Sequence, residues 1–456
     1  MKDLTVRNIA KACGGSFHGE REVLDREVTG VFTDSRKVTE GSLFVPLAGE
    51  RADGHDYISQ IFEKGVLVTL TERAEAATGL GNYILVSSCA EAIQQIAGFY
   101  RRTIGIPVVG ITGSVGKTST KEMVASVLAQ KYRTLKTQGN FNNNLGLPLT
   151  VFRMTEEDEI AVLEMGISHF GEMTWLAETA EPDIMVITNI GTCHLENLKD
   201  RDGVFAAKTE CLDYVKLTGT VILCGEDDKL LQIDDVHGKR PIFYGLSPRC
   251  RVYVKDQVSL GLKGTKCTIC VDEEEFQVTV PLPGEHMVLN AAAAAAVGSV
   301  CGLTPDEIRA GIESVEPVGG RLRITETGTY TLIEDYYNAN PMSMKAALRI
   351  LNHAEGRKVA VLGDMGELGT KERELHYEVG TAAGELDLGL VLLAGPLSEE
   401  IGRGLRDAGS SAEILQFPDT EQLAEALPSH VREGDQILIK ASRFMQFEKA
   451  ADVLKQ

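Results

Sequence analysis

Residues 106–123, IPVVGITGSVGKTSTKEM, constrain the fold more than any other part of this chain. A short apolar segment runs into glycine, and glycines recur at 110, 113 and 116. Lys117 and Thr118 then open a pattern that puts Met123, Val124, Val127 and Leu128 on one face. The order is strand, glycine loop, helix, by which a parallel α/β sheet offers a helix N-terminus to an anion. The pattern predicts a strand ending at Gly110, a loop to Gly116 and a helix from Lys117. Glycines let backbone N–H groups converge on phosphate oxygens, Lys117 adds a cation at the β- and γ-phosphates, and the Thr118 hydroxyl is placed for Mg²⁺. Gly113, Ser114, Val115, Gly116, Lys117, Thr118 and Ser119 are therefore read as the phosphate-binding loop of a nucleotide site. Ile111 occupies the first glycine position of GxxxxGK[ST], so the spacing here is GxxGxxGKT. The competing reading is a glycine turn carrying an exposed lysine, and the loop by itself specifies no reaction.

Around this loop strand and helix patterns alternate. EIAVLEMG, IMVITNIG and TVILCGED read as buried parallel strands. Between 251 and 280 the alternation shortens (RVYVKD, KCTICVD, FQVTV), which predicts an antiparallel insert, and helices are expected from about Glu285 and from Pro305. EPVGGR, residues 316–321, has the composition of a hinge. Beyond it TLIEDYY, KVAVLGD, LGLVLLAG, AEILQFP and DQILIKAS form a second doubly wound pattern. Ahead of the loop lie short strands (VTGVFTDS, SLFVPLAG), a helix from roughly Asp56 to Lys64, and a helix with Ile93, Ile96, Ala97 and Tyr100 on one face. A length of 456 residues allows about three domains. The expected fold class is α/β, with a small domain at 1–85, a central mononucleotide-binding domain at 86–317 and a Rossmann-like domain at 318–456.

Composition excludes several classes. A formal charge of −20 opposes non-specific binding to nucleic acid or anionic membranes. The alanine-rich run from Ala291 to Leu303 has thirteen residues, short of the roughly 20 a membrane span needs, so it reads as a buried helix. The N-terminus lacks the apolar core of a signal peptide, so a cytoplasmic location with reduced thiols is expected. Cys267 and Cys270 sit in a strand-like segment with no second pair, and read as two strand cysteines rather than a zinc half-site.

Further polar residues fall where chemistry is expected. Glu164 ends an apolar strand and so points into the ligand crevice, and His194 follows the next strand by a few residues. Both are candidate Mg²⁺ ligands, although a solvated loop side chain is the plain reading for His194, and Cys193-His194 has no further ligands for zinc. Lys208 lies among apolar neighbours on GVFAAKTECLDYV and reads as snorkelling or paired with Glu210. His286 and Asn290 open the alanine-rich helix, where N-terminal capping is one reading. Arg321 follows the hinge. Asp335, Asn338 and Asn340 leave a strand toward a cleft. Asp34, Ser35 and Arg36 read as a polar turn.

GITGSVGKTS has the glycine spacing typical of Mur ligases and folylpolyglutamate synthetases, and further segments resemble that family in order along most of the chain. They are TDSRKVTEGSLFVPLAGERADGHDY, TQGNFNNNLGLPLT, EMGISHFGEM, NIGTCHLENL, AAKTE, GEHMVLNAAAAAA, VGGRL, DYYNANPMSM, GDMGELG and KASR. The chain departs at Met287, where the family usually has Asn, and at Ala441, where Gly is common. DYYNANP resembles the branch that adds D-alanyl-D-alanine; the alternatives are a ligase adding a single amino acid and a folate-type ligase. The resemblance implies an ATP- and Mg²⁺-dependent ligase, monomeric, that activates a UDP-N-acetylmuramoyl tripeptide as an acyl phosphate. It implies that Asp34, Ser35 and Arg36 hold the UDP end, and that Asn142, Asn143, Asn338 and Asn340 meet the substrates. Asn290, Arg321 and Asp335 would contact ATP. Thr118, Glu164, His194 and an N-carboxylated Lys208 would hold metal, with Lys117, Glu164, His194 and Lys208 catalytic.

Overall fold

The computed structural model describes residues 1–49 and 52–455. Glu50 and Arg51, inside the segment expected to grip a UDP group, lie outside the described residues. Three sheets follow one another along the chain. The first has five strands in the spatial order Ser16–His18, Tyr83–Leu85, Val68–Thr71, Leu43–Phe44 and Val31–Phe32, with only the Ser16–His18 edge antiparallel. The expected helix at 56–64 is a 3₁₀ turn, Gly54–Tyr57, running into the short α-helix Ile58–Glu63. Helix Cys89–Ile104 leads to the second sheet, with Ile93, Ile96, Ala97 and Tyr100 buried as their spacing requires.

The second sheet has nine strands, and the strand feeding the glycine loop, Val108–Thr112, lies between Ile184–Ile187 and Ile160–Glu164. It runs two residues past the expected end at Gly110, because Ile111 and Thr112 still pair with both neighbours. The segment expected as an antiparallel insert forms three antiparallel strands, Val252–Ser259, Thr265–Val271 and Glu274–Val280. It is not separate, however: Val252–Ser259 pairs in parallel with Ile242–Gly245 and so extends the same sheet. Helix Glu285–Val300 packs its alanines at 291–296 into the core, where small side chains let it lie close to helix Lys117–Leu128. Helix Pro305–Glu313 begins at the expected proline, capped by Thr304.

The third sheet has the order Arg323–Glu326, Thr331–Glu334, Gln436–Lys440, Lys358–Gly363, Leu390–Ala394 and Glu413–Phe417, all parallel except the first strand. Crossover through helix Pro341–Asn352 skips the place of Gln436–Lys440, which the chain fills last by reversing direction after Glu413–Phe417 and inserting between Thr331–Glu334 and Lys358–Gly363. At such a point the loops beyond the strand ends diverge and leave a crevice. No helix among the described residues is long and apolar enough to cross a membrane.

Candidate active site

The glycine loop is held from beneath by the neighbouring strand end. Asn189 accepts from the Val115 N–H through Oδ1 (3.0 Å) and donates to the Val115 carbonyl through Nδ2 (3.0 Å). The Thr188 hydroxyl donates to the same carbonyl at 2.7 Å. Gly113 has a φ of +150°, and any Cβ there would collide with the Thr188 hydroxyl. Gly116 caps helix Lys117–Leu128 at a φ of +81°, a backbone state that favours glycine. The first N–H groups of that helix have no intrahelical acceptor and point out of its end, which is an anion site by construction. Lys117 Nζ folds back to donate to the Gly113 carbonyl at 2.8 Å, so its charge already lies over the loop.

Register puts Glu164 opposite Ile111, at the loop's edge. Its buried carboxylate accepts from the Thr118 hydroxyl at 2.9 and 3.1 Å and from Asn142 Nδ2 at 2.7 Å. Lys121 Nζ lies 3.8 Å away and donates to the Thr137 carbonyl at 2.7 Å. Thus Thr118 and Glu164 are brought together, and Asn142, expected at the substrates, joins them by donating to Glu164, while Asn143 is used locally: its Oδ1 accepts from Gly146 N–H at 2.8 Å.

Lys208 is fully buried and its Nζ has no hydrogen-bond partner. Burial pushes its amine down to about 8. Pairing with Glu210 does not occur, because that carboxylate turns away to accept from Gly171 N–H, Thr174 N–H and the Thr174 hydroxyl, each at 3.1 Å. His194 adopts a left-handed backbone (φ +52°), and its Nδ1 lies 2.6 Å from Glu367 Oε2 across the seam with the third sheet's domain. Despite that short separation the geometry does not make a hydrogen bond, and Nδ1 remains without one.

Among the described residues no three His, Cys, Asp or Glu side chains cluster as a metal cage. The donors that do converge, the Thr118 hydroxyl and the Glu164 carboxylate, are hard oxygens. They suit Mg²⁺, which takes few protein ligands and keeps water and phosphate oxygens. The orphaned Lys208 nitrogen fits a residue that gains oxygen donors on carboxylation.

Asn290 does not cap its helix, which begins at Gly284. It lies in the second turn, accepting from the Thr120 hydroxyl at 3.0 Å beside the phosphate loop. His286 lies in the first turn, and burial lowers its pKa. Asp335 Oδ2 accepts from Lys440 Nζ at 2.5 Å, and the same ammonium reaches the Asn338 carbonyl at 3.0 Å. Asn340 caps helix Pro341–Asn352, with Oδ1 accepting from Ser343 N–H at 2.9 Å, which leaves its amide nitrogen free to donate to a substrate. Asp34 is held down to about 2 by hydrogen bonds from Arg36, and the Ser35 carbonyl accepts from Lys64. This turn is apart from the phosphate loop, on the first sheet's domain.

Three family profiles match the chain: the Mur ligase family catalytic domain at 27–111, the Mur ligase middle domain at 111–298, and the Mur ligase glutamate ligase domain at 320–443. The UDP-N-acetylmuramoyl-tripeptide–D-alanyl-D-alanine ligase of Bacillus subtilis (strain 168) is 39% identical over 449 residues, covering 98% of this chain and 97% of its own. The chain belongs to the Mur ligase family. Among solved Mur ligases, MurF from Acinetobacter baumannii superposes with a TM-score of 0.92 at 30% identity over 99% of both chains. The MurF ligase from Thermotoga maritima in complex with ADP gives 0.84 at 30% identity, covering 93% of this chain and 97% of its own.

In this Mur ligase several site residues escaped the sequence reading. Asn189 and Lys121 had a signal, one following an apolar strand and the other in the helix behind the loop. Lys440 and Met342 stand inside the KASR and DYYNANPMSM segments but were not singled out as site residues. A Cβ on Gly191 would lie 2.7 Å from the Met342 methyl, so the DYYNANPM segment of the third domain packs against the strand-end loop, whose Gly191 N–H donates to Ser114 Oγ at 2.8 Å. A cavity of about 540 Å³ opens at this seam, between Thr192, Leu195 and Arg201 on one side and Met342, Lys345 and Leu375 on the other.

Proposed function

We propose that this Mur ligase joins D-alanyl-D-alanine to a UDP-N-acetylmuramoyl tripeptide, consuming ATP and giving the UDP-linked pentapeptide for peptidoglycan synthesis, with ADP and phosphate. The carrying observation is the DYYNANPM segment, which is tied to its own sheet by Lys440 and reaches the phosphate-loop side through Met342. Relatives with that activity match nearly the whole chain, which supports the same reading.

An amine cannot expel oxide from a carboxylate, so the acid must first gain a leaving group. A carboxylate oxygen of the tripeptide attacks the γ-phosphorus in line, the bond to the β–γ bridging oxygen breaks, and ADP departs with that electron pair. Lys117 shifts from the Gly113 carbonyl to the phosphoryl oxygens, and the helix N–H groups hold the β-phosphate. Thr118 and Glu164 would hold one Mg²⁺, and His194 with N-carboxylated Lys208 a second; metal bound there would supply the remaining charge neutralisation. Asn290 lies at the adenine end of ATP, Asp335 contacts ATP on closure, and Arg321 meets the γ-phosphate. The dipeptide amine then adds to the acyl carbon, loses a proton and expels phosphate, forming the amide. Asp34, Ser35 and Arg36 hold the UDP end, and Asn142, Asn143, Asn338 and Asn340 meet the peptides. We place the domain limits at 1–85, 86–317 and 318–456, and take the enzyme to act as a cytoplasmic monomer without nucleic acid.

The test is mass spectrometry of product from ATP, D-alanyl-D-alanine and each of two UDP-tripeptides, bearing diaminopimelate or lysine. A pentapeptide with matching ADP release is expected from at least one. Addition of a single amino acid with no dipeptide product would overturn the assignment.

A further inference from the structure

We infer that Tyr337 is a positioning residue whose ring face holds the Arg321 guanidinium ready for the phosphoryl group transferred in the reaction. The inference rests on the ligase reading above and adds a residue to it. Arg321 Cζ lies 3.9 Å from the Tyr337 ring centroid, and Arg443 Cζ lies 5.6 Å from the same centroid. Three stretches distant in sequence thus meet at one ring: the hinge turn, the DYYNANP segment and the KASR segment.

Their backbones fix the arrangement. Tyr337 N–H donates to the Gly320 carbonyl at 2.9 Å, next to Arg321 in the chain. Leu322 N–H donates to Asp335 Oδ1 at 3.2 Å, on the other side of Arg321. Lys440 ties Asp335 and Asn338 to the strand that leads into Arg443. The ring therefore cannot drift relative to the root of the arginine, and stacking replaces side-chain freedom with one orientation.

The electrostatics point outward to a ligand. The chain carries 66 acidic residues, yet among the described residues no carboxylate lies within 4.0 Å of Arg321. Arg443 has Glu448 at 3.7 Å. A guanidinium stacked on a ring keeps its N–H fork free at the edge, in the plane suited to two oxygens of a phosphoryl group. A ring that gathers cations beside the hinge, without a protein anion for Arg321, is prepared for a phosphoryl anion from outside.

The experiment compares Tyr337→Leu, Tyr337→Phe, Arg321→Ala and the Arg321→Ala/Tyr337→Leu double variant, by ADP release with both peptide substrates saturating. Loss of the ring should lower kcat about tenfold with KM for ATP little changed, and phenylalanine should restore most of the loss because it keeps the ring face. The double variant should be no slower than Arg321→Ala, since the ring acts through the arginine. Should the leucine variant fail to fold, as judged by its thermal transition, Tyr337→Met carries the same comparison. If Arg321→Ala is slow while ring loss is without effect, or if the two losses multiply in the double variant, the positioning inference falls and the ligase reading stands. If Arg321→Ala turns over at the wild-type rate, the role of Arg321 in the proposed reaction is itself wrong.

Discussion

Replacing Lys208 by methionine in buffer stripped of carbon dioxide should stabilise the fold while abolishing ligation. Lys208 is fully buried with no partner for its nitrogen; burial is the largest effect and opposes its protonation, Cys193 comes next and favours it, and the nearby Lys117 charge then opposes it again, ahead of a smaller favourable effect of Cys211. The amine falls from 10.5 to about 8. That difference corresponds to about 3 kcal/mol held against folding when the ammonium is present, of which we expect about 1–3 kcal/mol to be recovered by an isosteric apolar side chain. The unfolded chain binds this proton more tightly than the folded one. The cost is therefore complete below about pH 8, shrinks as pH rises from about 8 to 10.5, and is gone above. Urea unfolding of wild type and Lys208→Met at pH 7 and pH 9.5 reads this directly, because groups common to both proteins cancel. The variant should be more stable at pH 7, and the gap should narrow at pH 9.5. A variant less stable than wild type at pH 7 would mean that the ammonium has a favourable partner, and would refute the argument. The same displacement prepares the carbamate. At pH 7.5 an amine titrating near 8 is neutral in roughly a quarter of molecules, against roughly a thousandth at 10.5, and only the neutral amine adds to carbon dioxide. Bicarbonate should therefore raise the unfolding midpoint of wild type and leave that of the variant unchanged.

Lys117→Ala should lower kcat by roughly a thousandfold or more at an unchanged Tm, since the half-buried lysine contacts only loop carbonyls; near-normal turnover would contradict its role. Asp335→Ala should cost about 3–5 kcal/mol in unfolding free energy, because Lys440, only 2% exposed, loses its counter-charge; an unaltered Tm would show that the pair is dispensable. Asn142→Ala removes a donor that orients Glu164, and should weaken Mg²⁺-dependent binding of ADP roughly tenfold or more by calorimetry, with metal-free binding little changed.

The parts legible in the sequence are those whose physics is local. The glycine spacing at 110, 113 and 116 points to a strand–loop–helix, because Gly113 and Gly116 supply the positive φ where the loop turns and the helix begins. Continuous apolar runs such as IAVLE and LVLLA announce buried parallel strands, and Pro305 after Thr304 marks a helix start. What pairs with what is another matter. The three antiparallel strands were evident, but their attachment to the nine-stranded sheet depends on Tyr244 and Gly245 meeting Val252 and Tyr253, a register that no local pattern encodes. The helix start at Gly284 decides that Asn290 faces Thr120 instead of capping. Lys208 stood out in the sequence as a lysine among apolar neighbours. Only the packed structure turns Glu210 toward Gly171 and Thr174 and leaves the Lys208 nitrogen alone. Tyr337 shows the limit most plainly: its two arginines lie 16 residues before it and 106 after it. Burial and pairing of polar groups are set by neighbours brought together in space, so sequence determined the elements and the phosphate loop, and tertiary structure alone decided which charges have partners.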